Sequence, residues 1–390
     1  MAPLKLLLLG DVMTGRGIDQ ILPHPCDPRL YEKSGISALD YVRLAERANG
    51  PISRPASFAY PWGDALPAWK TDAPDLVIAN LETAVTLGDH HAPKGINYRM
   101  SPRNLACLSA GGIDACALAN NHVLDWGRAG LADTLAALQD EGVRTAGAGR
   151  DLVAASAPLV LEARGVGRVL LIACAASDSG VPDSWAAGET RPGVNLVTLS
   201  DETVGQIARD FEAVRRPGDI AVVSIHWGPN WGYEIAASHR RFAQALVGEA
   251  GVSVVHGHSS HHAKAVEVHD NRLILYGCGD FLNDYEGIIG DERFRSDLVA
   301  AYLARVDRGD GRLRDLEIIP FRIRRFRLQQ ASGQDRDWLA DRLGSECATF
   351  DGRIEENNGR LKLSWRSAPK PSPPSTTRAP TRSASSPVTC

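Results

Sequence analysis

The amino-acid sequence predicts an α/β fold with a mixed sheet, and three observations support that prediction. Six short apolar runs each end at a side chain that can bind a metal ion. Segments with helical periodicity separate several of these runs. Two hairpin patterns follow residue 264, the first turning at Asp270-Asn271. Near-continuous apolar runs are typical of strands buried on both faces, so the early strands should be parallel and the late ones antiparallel.

The composition is that of an ordinary globular protein. The chain has 390 residues, of which 44% are hydrophobic and 23% are charged. Its formal net charge of −4 gives no basic field that would attract nucleic acid or an anionic membrane. The seven cysteines include no Cys-x-x-Cys pair, and several lie inside apolar runs. We therefore expect reduced thiols rather than a disulfide framework.

No apolar stretch approaches the roughly 20 residues that a membrane-spanning helix needs. The N-terminal run at 4–9 is shorter than the apolar part of a secretion signal, and Gly10-Asp11 ends it. This run is better interpreted as the first strand. We expect a soluble, cytoplasmic protein that does not insert directly into a membrane.

A single domain is expected over residues 1–366, with a long loop insertion at about 20–65. The insertion is rich in Pro, Gly, Ser and Arg, and loops this long inside a domain are usually lids or binding loops. Residues 367–390 contain Pro, Ser, Thr and Arg with almost nothing apolar. Such a segment buries too little surface to offset chain entropy, which predicts a disordered tail.

The remaining elements are predicted from periodicity and from residues typical of helix ends. Gly142 is expected to end one helix, and Ser200 and Ser238 to open two others. The patterns predict helices at 101–110, 128–142, 200–215, 238–250 and 334–345, a strand at 165–175, and hairpins at 265–277 and 298–325.

The ends of the six apolar runs indicate one shared site. In open α/β sheets, ligands bind outside the carboxyl ends of the strands, so side chains that end several strands should converge there. Every strand must leave the core at some polar residue, but six runs that all end at oxygen or nitrogen donors exceed that general requirement. The runs end at Asp11, Glu82, Asn120-Asn121-His122, His226, the segment 256–262 and Asp280.

The segment 256–262 contains four histidines in seven residues directly after a predicted strand. Histidine is the commonest metal ligand, and imidazoles at such close spacing can converge on one cation. The alternative is a histidine-rich surface turn. The strand-end position favours a metal site with His258 and His261 among its ligands.

The segment 119–125 offers a second set of reactive side chains. The amide oxygen of Asn121 can bind a metal ion, and His122 can act as a general acid. Asp125 can bond to the His122 ring as a neighbouring partner and so fix its tautomer. The alternative is a strand-to-helix loop in which Asn or Asp only caps the helix.

Asp11, Glu82 and His226 are individually weak candidates. A carboxylate at a strand end often caps the next helix, and a lone histidine there is more often a hydrogen-bonded core residue. Asp280 can be a metal ligand, a partner that orients a histidine, or the opening of a loop. Together, this mixture of donors suits Mn²⁺, Fe²⁺ or Zn²⁺ better than a metal selected by thiolates.

Six motifs in the chain resemble those of the CapA family, the capsule and poly-γ-glutamate synthesis proteins related to calcineurin-like metallophosphoesterases. The motifs follow the family order over roughly residues 3 to 330, and the segment 94–99 is also similar. They are Gly10-Asp11-Val12-Met13-Thr14-Gly15-Arg16, Asn80-Leu81-Glu82-Thr83, Ala119-Asn120-Asn121-His122 with Asp125 and Gly127, His226-Trp227-Gly228, Gly257-His258-Ser259-Ser260-His261 and Tyr276-Gly277-Cys278-Gly279-Asp280-Phe281.

The resemblance implies a four-layer αββα sandwich of two mixed sheets that meet over a dimetal-type site. It also implies that His122 is the catalytic acid. The ligands that it implies are Asp11, Glu82, Asn121, His226 and His258 or His261.

The chain departs from the pattern of ordinary metallophosphoesterases at two positions. Met13 stands where they have a histidine ligand, and Glu82 stands where they have an aspartate. We therefore expect one metal position to be weak or empty, so that the chain holds one divalent ion or none. Capsule-synthesis members are usually tethered to a membrane, whereas no anchor is predicted here.

The first functional hypothesis is a metal-dependent hydrolase or transferase acting on an anionic polymer or peptide-like substrate of the poly-γ-glutamate type. The metal would activate water, Asp11 would share in catalysis, and His122, oriented by Asp125, would protonate the leaving group. The residues assigned to the substrate are Arg16, Lys94, Trp227, Trp231 and Asp280.

Two alternatives belong to other functional classes. One is a metal-independent epimerase that inverts a peptide Cα, with Asp11, His122 or the histidine cluster as acid and base; the missing ligand at Met13 favours it. The other is a non-catalytic subunit that binds polyglutamate or a synthase. Chelator sensitivity would separate the first two, and site variants that remain competent in assembly would indicate the third.

Overall fold

The computed structural model describes residues 2–32, 37–163, 165–288 and 293–366. The helices of this part of the chain are α1 (Arg16–Ile21), α2 (Leu39–Asn49), α3 (Ala65–Asp72), α4 (Ala106–Ala110), α5 (Gly127–Glu141), α6 (Leu152–Ser156), α7 (Asp201–Glu212), α8 (Ala237–Gly248) and α9 (Gly333–Ala348). Short 3₁₀ turns cover Pro102–Asn104, Ser177–Ser179 and Asp183–Trp185.

The strands lie between these helices singly or in short groups as far as α8, and the later strands follow one another with α9 as the one helix among them in the described residues. Through the first half of the chain they are β1 (Leu4–Val12), β2 (Leu76–Leu81), β3 (Ala84–Val85), β4 (Arg99–Met100), β5 (Ala115–Ala117), β6 (Arg144–Ala146), β7 (Ala148–Gly149), β8 (Leu159–Ala163), β9 (Gly167–Ala176), β10 (Gly193–Val194) and β11 (Leu196–Val197). The later strands are β12 (Ile220–His226), β13 (Val254–His258), β14 (Val266–His269), β15 (Arg272–Leu275), β16 (Asp280–Leu282), β17 (Leu298–Val306), β18 (Leu313–Arg324), β19 (Arg327–Gln330), β20 (Gly352–Asn357) and β21 (Arg360–Trp365).

Two large sheets organise the strands, and both are mixed as predicted. The first sheet has the order β20-β21-β18-β17-β1-β2-β5-β6, with β16 beside β1 and β19 beside β18. Its strands β1, β2, β5 and β6 are parallel, whereas β17 runs antiparallel to β1 and β18 runs antiparallel to β17. The second sheet has the order β11-β9-β12-β13-β15-β14, and β9, β12, β13 and β15 are parallel in it.

Three hydrophobic cores separate four layers, which confirms the αββα sandwich. Leu7 and Leu9 of β1 pack with the helices outside the first sheet, while Leu6 and Leu8 pack between the two sheets. The outer face of the second sheet packs against α7 and α8 through side chains such as Phe211. Strands buried on both faces require apolar residues at every position, which explains the unbroken run at 4–9.

Several predicted details are confirmed by the local geometry. The Ser200 side chain accepts a hydrogen bond from the Thr203 backbone N–H at the start of α7. Gly142 ends α5 with a φ of 83°. Asp270 and Asn271 have φ values of 48° and 60°, which gives the β14–β15 hairpin its tight turn.

Other details differ from the predictions. The insertion at 20–65 contains the helix α2, which packs its apolar face into the outer core through Tyr41 and Val42. Helix α8 is preceded by Ala236, so Ser238 lies inside the first turn and is not its cap. The β20–β21 hairpin extends the first sheet beyond the predicted elements. The predicted tail at 367–390 lies outside the described residues.

The cysteines and the helices agree with two further expectations. Six cysteines lie in the described residues, and all are buried free thiols. Within the same residues, none of the helices combines the length and the apolar character needed to cross a membrane.

Candidate metal centre

The carboxyl ends of strands from both sheets meet, and they bring together two groups of acidic and histidine side chains. In each group, one ligand atom from each residue lies within 4.8 Å of the others, and all the residues are buried. The predicted convergence of these side chains is therefore confirmed, but Asp280 does not end a strand as predicted: β15 ends at Leu275, and Asp280 begins β16 beside β1 in the first sheet. The first group is Asp11, His226 and His258, and the second is Glu82, His261 and Asp280.

Asp11 is fixed at the end of β1 by neighbours on both sheets. Asn80 donates a hydrogen bond from Nδ2 to Asp11 Oδ1 at 2.7 Å. The Ser259 backbone N–H donates to Oδ2 at 3.2 Å, and Ser259 adopts a φ of 102°, which is rare for a residue with a side chain. Burial and the nearby Asp280 carboxylate raise the pKa of Asp11 to about 7.

A chain of hydrogen bonds fixes the histidine tautomers. His256 Nε2 must donate to the carbonyl oxygen of Leu9, at 2.9 Å, so its Nδ1 accepts from Ser224 Oγ at 3.0 Å. Ser224 Oγ then accepts from His258 Nε2 at 2.9 Å. The bare Nδ1 of His258 accepts from His226 Nδ1 at 2.9 Å. His226 Nε2 is consequently left with a lone pair.

Burial keeps these imidazoles neutral. It lowers the pKa of His256 to about 4 and the pKa values of His226 and His258 well below the usual range. A neutral imidazole is the form that binds a metal ion. The charge state therefore suits ligation. The tautomers leave the lone pair of His226 Nε2 free, whereas His258 Nδ1 could bind an ion only in place of its hydrogen bond from His226.

His226 Nε2 has no hydrogen-bond partner in the described residues although it is fully buried. It lies 3.9 Å from Glu82 Oε1. Burial, followed by the charges of Asp11 and Asp280, raises the pKa of Glu82 well above its usual range. The buried Oδ1 of Asn121 also lacks a partner. An unpaired buried acceptor beside crowded carboxylates is satisfied by a cation, so His226 and Glu82 fit a metal ion.

His122 lies at the edge of this centre in a tightly held position. Its Nδ1 is 2.6 Å from Asp125 Oδ2, so Nδ1 carries the proton and Nε2 faces Glu82 Oε1 at 3.9 Å. Tyr98 stacks on the imidazole with ring centroids 3.8 Å apart. Burial lowers the pKa of His122 to about 4, against the opposing effect of Asp125. The neutral ring accepts a proton at Nε2 before it can donate one.

Lys94 and Asp280 lie inside the site, as expected for residues near a substrate or a metal. Lys94 Nζ is 2.8 Å from Asp125 Oδ1 and 3.4 Å from His122 Nδ1, and it also donates to the Asn121 carbonyl. Asp280 Oδ1 accepts from His261 Nδ1 at 2.8 Å. Lys94 therefore contacts His122, and Asp280 orients His261.

Trp231 and Trp227 have different positions. Trp231 lies at the rim, 43% exposed, with its ring 5.2 Å from that of His261. Trp227 is a correction to the predicted substrate pocket. Its indole N–H donates to the Tyr276 carbonyl and its ring stacks on His239, inside the core outside the second sheet.

Arg16 is buried in an ionic network rather than free for a ligand. It donates two hydrogen bonds to Asp284, one to Glu32 Oε1 at 2.9 Å and one to Tyr41 Oη at 2.8 Å. Four of its five N–H donors are therefore taken. Its assignment to the substrate stays a prediction, and the structure gives it a clear structural role.

Sequence reasoning missed several residues that shape the site. Tyr98 stacks on His122, and its hydroxyl lies 2.8 Å from that of Tyr285. Ser224 connects two histidines of the hydrogen-bond chain. A signal existed for Ser224, because residues two apart on a strand share a face, and it precedes His226 by two. Tyr285 follows Asp280 closely enough in the chain to have been considered with it.

Comparisons with known proteins show which family the chain resembles. A family model described as bacterial capsule synthesis protein PGA_cap matches residues 5–285. The chain is 47% identical over 356 residues to a probable polyglutamine synthesis accessory protein of Mycobacterium tuberculosis, covering 90% of this chain and 92% of that protein. It is 26% identical over 284 residues to the PGA biosynthesis protein CapA of Bacillus subtilis, covering 72% and 63%. It is 27% identical over 218 residues to the capsule biosynthesis protein CapA of Bacillus anthracis, covering 54% and 51%.

The family match extends over most of the chain, from β1 past Asp280. The chain belongs to the bacterial capsule synthesis protein family.

Proposed function

We propose that this protein is an accessory enzyme of capsule or poly-γ-glutamate-type polymer synthesis, and that it hydrolyses or transfers a group on an anionic or peptide-like substrate with a divalent cation. The polymer is suggested by relatives whose names refer to polyglutamine or PGA synthesis. The chemistry is suggested by the buried, unpaired His226 Nε2 beside Glu82, which is the observation that carries the proposal.

The residues that would hold the cation come from both sheets and fit Mn²⁺, Fe²⁺ or Zn²⁺ by their mixture of carboxylate and imidazole donors. Met13 is fully packed where a further nitrogen ligand would stand, while Asp280 adds a carboxylate to the second group. The proposed ligands are Asp11, His226 and His258 in the first group, and Glu82, His261 and Asp280 with Asn121 in the second.

A bound cation would act as a Lewis acid and lower the pKa of a coordinated water. The protein supplies the proton transfer. His122 exchanges a proton at Nε2, which faces the centre, while Asp125 holds Nδ1 and Lys94 neutralises the Asp125 charge. Tyr98 keeps the imidazole plane in place by stacking.

Elemental analysis of the full chain, purified without added metal and then reloaded, tests the proposal together with hydrolysis of oligo-γ-glutamate. We expect bound metal and activity in the wild-type protein, and loss of both after chelation or in Glu82→Gln. Glu267→Gln is the matched control, because Glu267 is a buried carboxylate bonded to Tyr276 on the far side of the second sheet. Equal metal content in Glu82→Gln and wild type would contradict the ligand assignment.

Epimerisation of a peptide Cα is the second candidate, and the buried Met13 favours it because it removes a ligand. In this reaction a side-chain base removes the Cα proton and a conjugate acid returns one to the other face. Asp11, with its pKa raised to about 7 by burial, and His122 are the acid–base residues available. Deuterium incorporation into oligo-γ-glutamate by chelated protein would establish this reaction and exclude the first. Unchanged substrate after chelation would exclude it.

A further inference from the structure

A polar cavity lies at the opposite end of the second sheet from the candidate metal centre. It has a volume of about 420 Å³, within the range of small-ligand pockets. It lies between the starts of β12, β13 and β15 and the turn that joins β17 to β18. Strand β12 runs from this cavity to His226, so about 20 Å separate the two sites at the rise of a β-strand.

Four guanidinium groups line this cavity, which we call the arginine pocket: Arg215, Arg216, Arg272 and Arg308. Its two aspartates are already engaged, since Asp219 lies 3.5 Å from Arg168 and Asp310 lies 3.5 Å from Arg312. The remaining acidic group, Glu212, is exposed on α7. The pocket therefore carries an excess of positive charge, although the whole chain has a net charge of −4.

The donors of these arginines are incompletely paired. The Nε atoms of Arg215 and Arg308 are buried and have no hydrogen-bond partner in the described residues. Arg272 makes one long contact, from Nη1 to Ser253 Oγ at 3.4 Å. Burying an unpaired donor on a charged group costs free energy. A negatively charged acceptor that paired with these donors would remove that cost.

The backbone around the arginine pocket allows guanidinium groups to lie close to it. Gly311 has a φ of 66°, and a Cβ there would lie 2.0 Å from Arg272 Nη1 and 2.5 Å from Ser253 Oγ. Only glycine lets the guanidinium approach the turn so closely. Burial lowers the pKa of Arg272; the charge of Asp310 opposes this shift, and repulsion from the charges of Arg312 and Arg215 adds to it. An anion would relieve that repulsion.

We propose that the arginine pocket binds an oxyanionic ligand through phosphate or carboxylate groups. Guanidinium forks match both groups in geometry, and several forks around one cavity favour a ligand with more than one negative charge. This site is separate from the metal centre and does not depend on the chemistry proposed there.

Isothermal titration calorimetry on the full chain tests the proposal in low salt with a chelator present. The probes are inorganic phosphate, pyrophosphate and a γ-glutamate pentamer. We expect at least one to bind with a Kd below about 1 mM, and the double variant Arg272→Gln/Arg308→Gln to weaken it at least tenfold. Arg150→Gln is the control, because Arg150 is 88% exposed outside the pocket.

The pattern of binding identifies the source of the anion. Binding of phosphate or pyrophosphate alone supports a phosphorylated ligand, and binding of the pentamer alone supports carboxylates of a polymer. Protection of Arg272 and Arg308 from phenylglyoxal by the same probe tests the site in the wild-type protein, so a variant that fails to fold does not decide the result. Lack of binding by all three probes, or unchanged labelling of both arginines, would overturn the proposal.

Discussion

His122, the proposed acid–base residue, lies at the edge of the candidate metal centre and belongs to neither group of possible ligands. Replacing it by alanine should lower turnover of oligo-γ-glutamate by roughly 10²- to 10⁴-fold, the usual loss when a general acid–base residue is removed. Metal content should stay at the wild-type value, because the two ligand groups do not include His122. Steady-state kinetics and elemental analysis measure both quantities.

The matched control is His269→Ala, since His269 lies partly exposed on β14 far from the strand ends that form the centre. It should leave turnover and metal content unchanged. Loss of metal from His122→Ala would instead make His122 a ligand and remove its assignment to proton transfer.

Arg16 gives a prediction about stability. Replacing Arg16 by glutamine should lower the free energy of unfolding by about 3–5 kcal/mol, because it leaves Asp284 and Glu32 buried without their partner. Arg29→Gln should cost no more than about 1 kcal/mol, because its ion pair with Asp27 is exposed. Urea unfolding of both variants gives the comparison. A small loss in Arg16→Gln would show that the buried network relaxes and is not structurally essential.

At the residue scale, the sequence predicted the strand-end donors but misplaced one of their neighbours. His226 and His258 face the centre because both end parallel strands that are paired in register. Trp227 follows His226 directly, and side chains alternate across a strand, so Trp227 faces the opposite core. The same alternation could have excluded Trp227 from the substrate pocket. The stacking of Tyr98 on His122 could not be predicted, because it depends on a loop path between distant elements.

Helix caps allow a test at the scale of single elements. Ser200 caps α7 through a hydrogen bond from the Thr203 N–H, whereas Ser238 lies exposed within the first turn of α8. Ser200→Ala should lower the free energy of unfolding by roughly 0.5–2 kcal/mol, and Ser238→Ala should change it by no more than about 0.5 kcal/mol. Thermal or urea unfolding measures the pair. Equal effects would mean that the cap does not set the stability of α7.

Elements with strong local signals were predicted well, and those defined by distant pairing were not. The β14–β15 hairpin follows from Asp270-Asn271, which tolerate positive φ. The helix α2 was hidden in a segment rich in Pro and Gly, although Tyr41 and Val42 mark its buried face. The β20–β21 hairpin is mostly polar, and it forms because β21 pairs with β18. That pairing leaves little trace in the local sequence.

At the scale of the whole molecule, the sequence indicated an α/β fold with a mixed sheet, and the family resemblance supplied the division into two sheets. Local patterns do not show that β1 has β2 and β16 as parallel neighbours and β17 as an antiparallel one, since these strands are far apart in the chain. Nor do they show which apolar face lies between the sheets. The convergence of strand ends could still be predicted, because parallel strands of a sheet end at a common edge.

The two-sheet origin of the ligands predicts that metal binding stabilises the entire fold. Asp11 and Asp280 belong to strands of the first sheet, whereas His226 and His258 end strands of the second, so a bound ion would connect the sheets. A ligand that binds only the folded state at 100 times its Kd adds about 2.7 kcal/mol of stability. We expect Mn²⁺ or Zn²⁺ to raise the melting temperature of chelated protein by several degrees in differential scanning calorimetry. The double variant Glu82→Gln/His226→Gln should show no such rise, while Glu267→Gln should respond as wild type does. If the double variant and the wild type shifted equally, the ion would be binding elsewhere, and the centre between the sheets would not be the metal site.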